Sequence, residues 1–160
     1  MLLMTNNRKA RKLLSFMVML GLGTVMAAEG PPAVPAKIEI EVAPKAVEPG
    51  GAAQITLRVV PKDGVKINRY PKIKLTVPEV EGVVQSAEAT LGNPKPPPID
   101  NPESNYFKAP EPLELELQVD PSASSGRKKI EGQVKYFYCV AASGFCAPAK
   151  ADVKIPVTVR

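Results

Sequence analysis

Apolar and polar residues alternate along most of this chain. Lys37-Ile-Glu-Ile-Glu-Val42 puts Ile38, Ile40 and Val42 on one face and charged residues on the other. Gln54–Val60 repeats the pattern with Ile55, Leu57 and Val59, and Lys72–Val77 with Ile73, Leu75 and Val77. Leu113, Leu115, Leu117 and Val119 alternate with Glu114, Glu116 and Gln118, and Val153, Ile155, Val157 and Val159 close the chain. A period of two with polar residues between predicts half-buried β-strands. Weaker candidates lie at Val65–Asn68 and Val83–Ala87. The longest is Lys129–Val140, where Ile130, Val134, Tyr136 and Tyr138 share one face and Lys135, Phe137 and Cys139 the other.

The gaps hold turn-formers: Glu48-Pro-Gly-Gly51, Pro61-Lys-Asp-Gly64, Asn93-Pro94 and Asp120-Pro121. Roughly seven to nine short strands separated by such turns predict an all-β fold, an immunoglobulin-like antiparallel β-sandwich forming a single domain. Pro156 interrupts an otherwise strong strand, which places that strand at an edge or gives it a bulge. Between Ala89 and Pro112 runs a long connection containing Asn93-Pro-Lys-Pro-Pro-Pro98 and the aromatic pair Tyr106-Phe107. Loops of such length without secondary structure are commonly functional or disordered. The two aromatics either seal one end of the core or cover something else.

Composition narrows the chemistry. The 160 residues include 18 Pro and two Cys, but no His and no Trp. Proline at this frequency, against a usual ~5%, excludes a helical bundle. Without His there is no Ser-His-Asp or Cys-His catalytic arrangement and no His-containing metal or haem site. Two Cys cannot build a zinc site of four thiolates, so neither metal nor cofactor is expected.

The N-terminus changes the reading of charge. Arg8, Lys9, Arg11 and Lys12 precede the apolar run Leu13–Met26 and the small pair Ala27-Ala28. A basic start, a short apolar run and small exit residues predict a secretory signal peptide over 1–28, followed by a flexible Pro- and Ala-rich leader over 29–36 and the domain over 37–160. As a helix the run spans about 21 Å, short of the ~30 Å hydrocarbon core. An uncleaved anchor is the competing reading. Cleavage removes four of the 21 basic residues and none of the 16 acids. The exported chain is then almost neutral, with no stable membrane insertion expected and no support for nucleic-acid binding. The dense run Arg127-Lys128-Lys129 reads as a solvated turn after Gly126.

Both cysteines fall on one predicted hairpin. If Val140 pairs with Phe145, the loop is Ala141–Gly144, with Gly144 free to take positive φ, and Cys139 faces Cys146. Directly opposed strand residues have Cα atoms about 4.5–5.5 Å apart, within the range a disulfide accepts. In an oxidising compartment the pair should bond. As a staple closing so short a loop, the bond is worth roughly 2.5 kcal/mol in the chain-entropy model. It is either that staple or a redox reagent.

The run Val134-Lys-Tyr-Phe-Tyr-Cys139-Val-Ala-Ala-Ser-Gly-Phe-Cys146-Ala-Pro148, followed by an alternating strand, resembles the redox-active end of the N-terminal periplasmic domain of the thiol:disulfide interchange protein DsbD. Asp63-Gly64 leading to Ile67-Asn68-Arg-Tyr-Pro71, then a Pro-rich loop with aromatics, follow in the matching order. The specific part is the hairpin flank Gly144, Phe145, Cys146 and Pro148. The resemblance implies an immunoglobulin-like periplasmic module whose cysteines pass electrons by disulfide exchange to or from thioredoxin-like proteins or a membrane electron-transfer protein. By the same resemblance Cys146 engages the partner, Cys139 resolves the mixed disulfide, and an aromatic cap shields the pair, with Tyr106 and Phe107 as candidates. Access points the same way, because Cys139 lies inside a long strand while Cys146 sits at the hairpin exit before Pro148. If the pair rests reduced, Lys135 and Lys150 are the nearest cations in sequence, and neither is a strong activator. The alternative is a non-catalytic secreted binding or scaffolding domain whose disulfide only pins the hairpin.

Overall fold

The computed structural model describes residues 34–160. The expected signal peptide at 1–28 and most of the 29–36 leader lie outside the described residues. The chain folds into two antiparallel sheets packed face to face, the all-β sandwich that the alternation predicts. One sheet is built from β1 (Ala36–Ala43), β2 (Ala52–Pro61) and β6 (Leu113–Gln118), in that order. The other is larger. Its central strand is β7 (Gly126–Val140), paired along one edge with β8 (Cys146–Val159) and along the other, end to end, with β3 (Val65–Ile67) and β4 (Ile73–Val77); β5 (Ala87–Leu91) lies outside β4.

The core is what alternation places inward: Ile55, Leu57, Leu115 and Leu117 from the smaller sheet against Ile73, Leu75, Ile130, Val134 and Ile155 from the larger. Each such side chain is worth about 1.5–3 kcal/mol on burial. Ile38, Ile40 and Val42 share a face as expected, but on edge strand β1 they stay half-buried. Among the described residues no buried side-chain nitrogen or oxygen lacks a partner.

The weak strand expected at Val83–Ala87 is displaced. Val83 belongs to a tight turn in which Val84 bonds back to Val80, and β5 begins only at Ala87. Its inward residues include Ala87 and Ala89, which bury too little apolar surface to mark a strand in sequence. Arg127-Lys128-Lys129 is also not a turn. These residues open β7 opposite Thr158, Val157 and Pro156, held there by pairing with the strongly apolar end of β8. Their side chains alternate between faces, so the run makes no single basic patch.

Pro156 lies on an edge strand, at a position where proline costs no ladder bond. Val140 donates to the Phe145 carbonyl at 2.8 Å, so even-numbered residues of β7 bond to odd-numbered residues of β8. Even-numbered residues of β8 turn their N–H and C=O outward. Pro148 and Pro156 both occupy outward positions, opposite Phe137 and Lys129. Their missing N–H groups blunt an edge that could otherwise template strand addition.

Candidate functional site

The β7–β8 hairpin has the expected register. Cys139 faces Cys146, Val140 bonds Phe145, and Gly144 takes φ +67° in the turn. Cys139 and Cys146 form a disulfide with Cα atoms 4.1 Å apart. By the alternation above this is a non-hydrogen-bonded pair, the closer of the two antiparallel spacings. The bond therefore bridges the strands where no backbone hydrogen bond does.

It lies on the outer face of the larger sheet. Tyr138 and Tyr136 point into the core, so their neighbours Phe137 and Cys139 point away from it. Cys139 is nevertheless only 4% exposed, because the long loop folds over it. Cys146, one strand further out, is exposed, as are Phe145 and Pro148.

The cap is tied down through its backbone. After a short 3-10 turn at Pro102–Asn105 the chain runs alongside the end of β3, with Asn68 and Tyr106 as an antiparallel bridge and the Phe107 N–H on the Ile67 carbonyl at 3.0 Å. The Asn105 side chain completes the pairing. Its Oδ1 accepts from the Tyr70 N–H at 2.9 Å and its Nδ2 donates to the Tyr70 carbonyl at 3.0 Å. Gly92 lets β5 cross this segment closely, since a Cβ there would collide with the Arg69 carbonyl and its φ of +127° disfavours any side chain. That same carbonyl accepts from the Asn93 N–H.

The loop's two aromatics part company. Phe107 is 8% exposed and joins the core, with the Arg69 guanidinium 4.6 Å from its ring centroid. Tyr106 lies over the sulfur, its hydroxyl donating to Cys139 Sγ at 3.4 Å. Behind Tyr106 is an open groove of about 550 Å³, with Arg69, Glu103 and Lys108 on its walls. The cap is thus backed by solvent, not by core.

Two neighbours join from β3 and the residue that follows it. Lys66 is directly opposite Cys139 in register. Its ammonium donates to Glu103 Oε2 at 2.8 Å and sits 4.8 Å from the Tyr106 ring centroid. The hydrogen bond to Glu103 is the main reason its pKa is raised above the ordinary lysine value. Asn68 Oδ1 is 3.6 Å from Cys139 Sγ. In the oxidised pair the sulfur has no proton, so this contact becomes a hydrogen bond only when Cys139 is reduced to the thiol. Lys66 and Asn68 escaped the sequence reading as site residues, although alternation along Val65–Asn68 places both on one face. Lys135 and Lys150 are four residues from the cysteines, about 13 Å along the strands, too far to touch either sulfur.

Among the described residues no group of three or more His, Cys, Asp or Glu could hold a metal ion, and no helix is long and apolar enough to cross a membrane. The site defines a two-sheet β domain carrying an outward-facing hairpin disulfide, half shielded by a tyrosine. No family model matches the chain, and no curated protein matches it.

Proposed function

We propose that this domain is an exported thiol–disulfide exchange module working through the Cys139–Cys146 pair, in the manner of the DsbD N-terminal domain that its hairpin resembles. The observation that carries the reading is the placement of the bond on the outer face, one sulfur exposed and the other covered by a solvent-backed cap. A staple serving only stability gains nothing from an exposed sulfur.

The step is a two-electron exchange. A thiolate of a thioredoxin-like dithiol partner attacks Cys146 Sγ, a mixed disulfide forms, and the Cys139–Cys146 bond breaks. Cys139 leaves as a thiolate that receives the Tyr106 hydroxyl as a charge-assisted donor and then takes a proton from water. The partner's second thiolate attacks the mixed disulfide and displaces Cys146. The partner ends oxidised and this domain reduced, and in reverse Cys139 is the resolving thiol. The partners are thioredoxin-like periplasmic proteins or a membrane electron-transfer protein.

The second reading is a binding or scaffolding domain with a structural disulfide. The direct cross-strand register of the pair is compatible with it, although a loop closed by cysteines only seven residues apart gives a modest staple. Redox titration against glutathione or dithiothreitol separates the two. The exchange reading expects a potential well above about −300 mV, the region below which structural bonds lie. A bond that resists reduction until the protein unfolds refutes exchange and leaves the scaffold.

A further inference from the structure

The strand registers order the outer face of the larger sheet into rows running away from the disulfide. The first row is Lys66, Cys139 and Cys146. Phe137 and Pro148 form an apolar second row. The third is Lys74, Lys135 and Lys150, three lysines directly opposed across β4, β7 and β8. The fourth is Thr76, Gln133 and Asp152, with Glu88 beside Thr76.

Like charges directly opposite on neighbouring strands destabilise a sheet. Here the nearby acids are committed elsewhere or to one lysine only. Glu88 pairs with Lys74 at 2.6 Å and Asp152 accepts from Gln133 at 3.1 Å. Lys135 and Lys150 are exposed and enter none of the ion pairs among the described residues. Lys135 and Lys150 thus stand opposed with no ion-pair partner, the nearest carboxylate on their face being Asp152 in the next row, held by Gln133. The row lies about 13 Å from the sulfurs, with an apolar step between.

We propose that Lys135 and Lys150 are the docking element for an acidic protein segment that delivers its cysteine to Cys146, an inference that rests on the exchange reading. The segment is extended, with its thiol at Cys146, an apolar side chain over Phe137 and Pro148, and carboxylates about four residues from its cysteine over the two lysines. The spacing selects a polypeptide, because a small acidic thiol cannot reach both ends. Charge complementarity of this kind acts mainly on association rate and is screened by salt.

The test uses the oxidised protein and three synthetic single-cysteine peptides that carry three Glu, three Gln or three Lys beginning four residues from the cysteine. The peptide thiolate bonds to Cys146 Sγ, the intramolecular disulfide breaks, and Cys139 takes a proton from water; mass spectrometry of quenched samples follows the mixed disulfide. In 10 mM salt the Glu peptide should react about tenfold faster than the Gln peptide, and in 0.5 M salt within about twofold. The double variant Lys135→Gln/Lys150→Gln should bring the Glu peptide down to the Gln rate and leave the Gln peptide unchanged. The control Lys129→Gln/Lys154→Gln, with the same net charge, should keep the ranking. No ranking by charge, a ranking that survives loss of Lys135 and Lys150, or an equal effect of the control pair overturns the proposal. Peptides with Ser in place of Cys separate docking from exchange. An inert disulfide with preferential binding of the Glu peptide sinks exchange and keeps docking, while no preference sinks docking. Capture by phosphatidylglycerol vesicles without preference among the peptides overturns it as well.

Discussion

Mixed with a thioredoxin-like protein whose reactive cysteine is activated with thionitrobenzoate, the Cys139→Ser variant should accumulate a stable mixed disulfide through Cys146. The Cys146→Ser variant should accumulate it about tenfold more slowly, because thiol exchange depends on access to the reacting sulfur. Cys146 is exposed at the strand edge, whereas Cys139 is 4% exposed beneath Tyr106 and held between β3 and β8. In the first variant the thiol that would resolve the adduct is gone, so the adduct persists. Non-reducing gels read both the rate and the lifetime, and circular dichroism checks that each variant keeps its β spectrum. Equal trapping, or trapping only through Cys139, would show that the roles are wrongly assigned.

The two aromatics of the long loop should respond oppositely to truncation. Phe107→Ala should cost about 3–5 kcal/mol, the usual range for removing a buried phenylalanine, since its ring lies in the core under Arg69. Tyr106→Ala should cost within about 1 kcal/mol, because its ring is backed by an open groove. The same change should speed reduction by dithiothreitol several-fold, because it opens Cys139 as a second point of attack and that gain outweighs the lost Tyr106 hydroxyl donor to a departing Cys139 thiolate. Urea titration measures the first quantity and stopped-flow reduction the second. A Tyr106→Ala variant that loses several kcal/mol and reacts no faster would place Tyr106 among the structural residues and remove the cap from the mechanism.

Most strands could be read from the chain because alternation is strong where one face is buried, as in Gln54–Val60 and Leu113–Val119. β5 could not, because Ala87 and Ala89 fill two of its three inward positions and leave Leu91 alone to carry an apolar signal. The hairpin register was legible because Gly144 marks the turn and the spacing of the cysteines then follows. The division of labour between Tyr106 and Phe107 was not. It depends on the bridge to Asn68 and on the Asn105 amide clasping Tyr70, contacts some 35 residues apart in sequence that fix which ring faces inward. Lys66 was hidden for a related reason. A three-residue strand carries little pattern of its own, and its place opposite Cys139 comes from the long partner strand.

The alternation along β8 has a consequence for proton exchange with solvent. Its odd-numbered amides, from Ala147 to Val157, bond inward to β7, while those of Cys146, Lys150, Asp152 and Lys154 point out to water and Pro148 and Pro156 have none. In heavy water the strand should therefore deuterate as a comb, with every second amide fast and its neighbours slow by the full opening energy of the sheet. Because Cys146 and Cys139 are joined at a position that holds no backbone bond, cutting the disulfide should leave the slow teeth of the comb in place. Breaking the bond should then speed all the slow teeth together, by up to the roughly 2.5 kcal/mol it contributes, while the pattern of fast and slow amides stays the same.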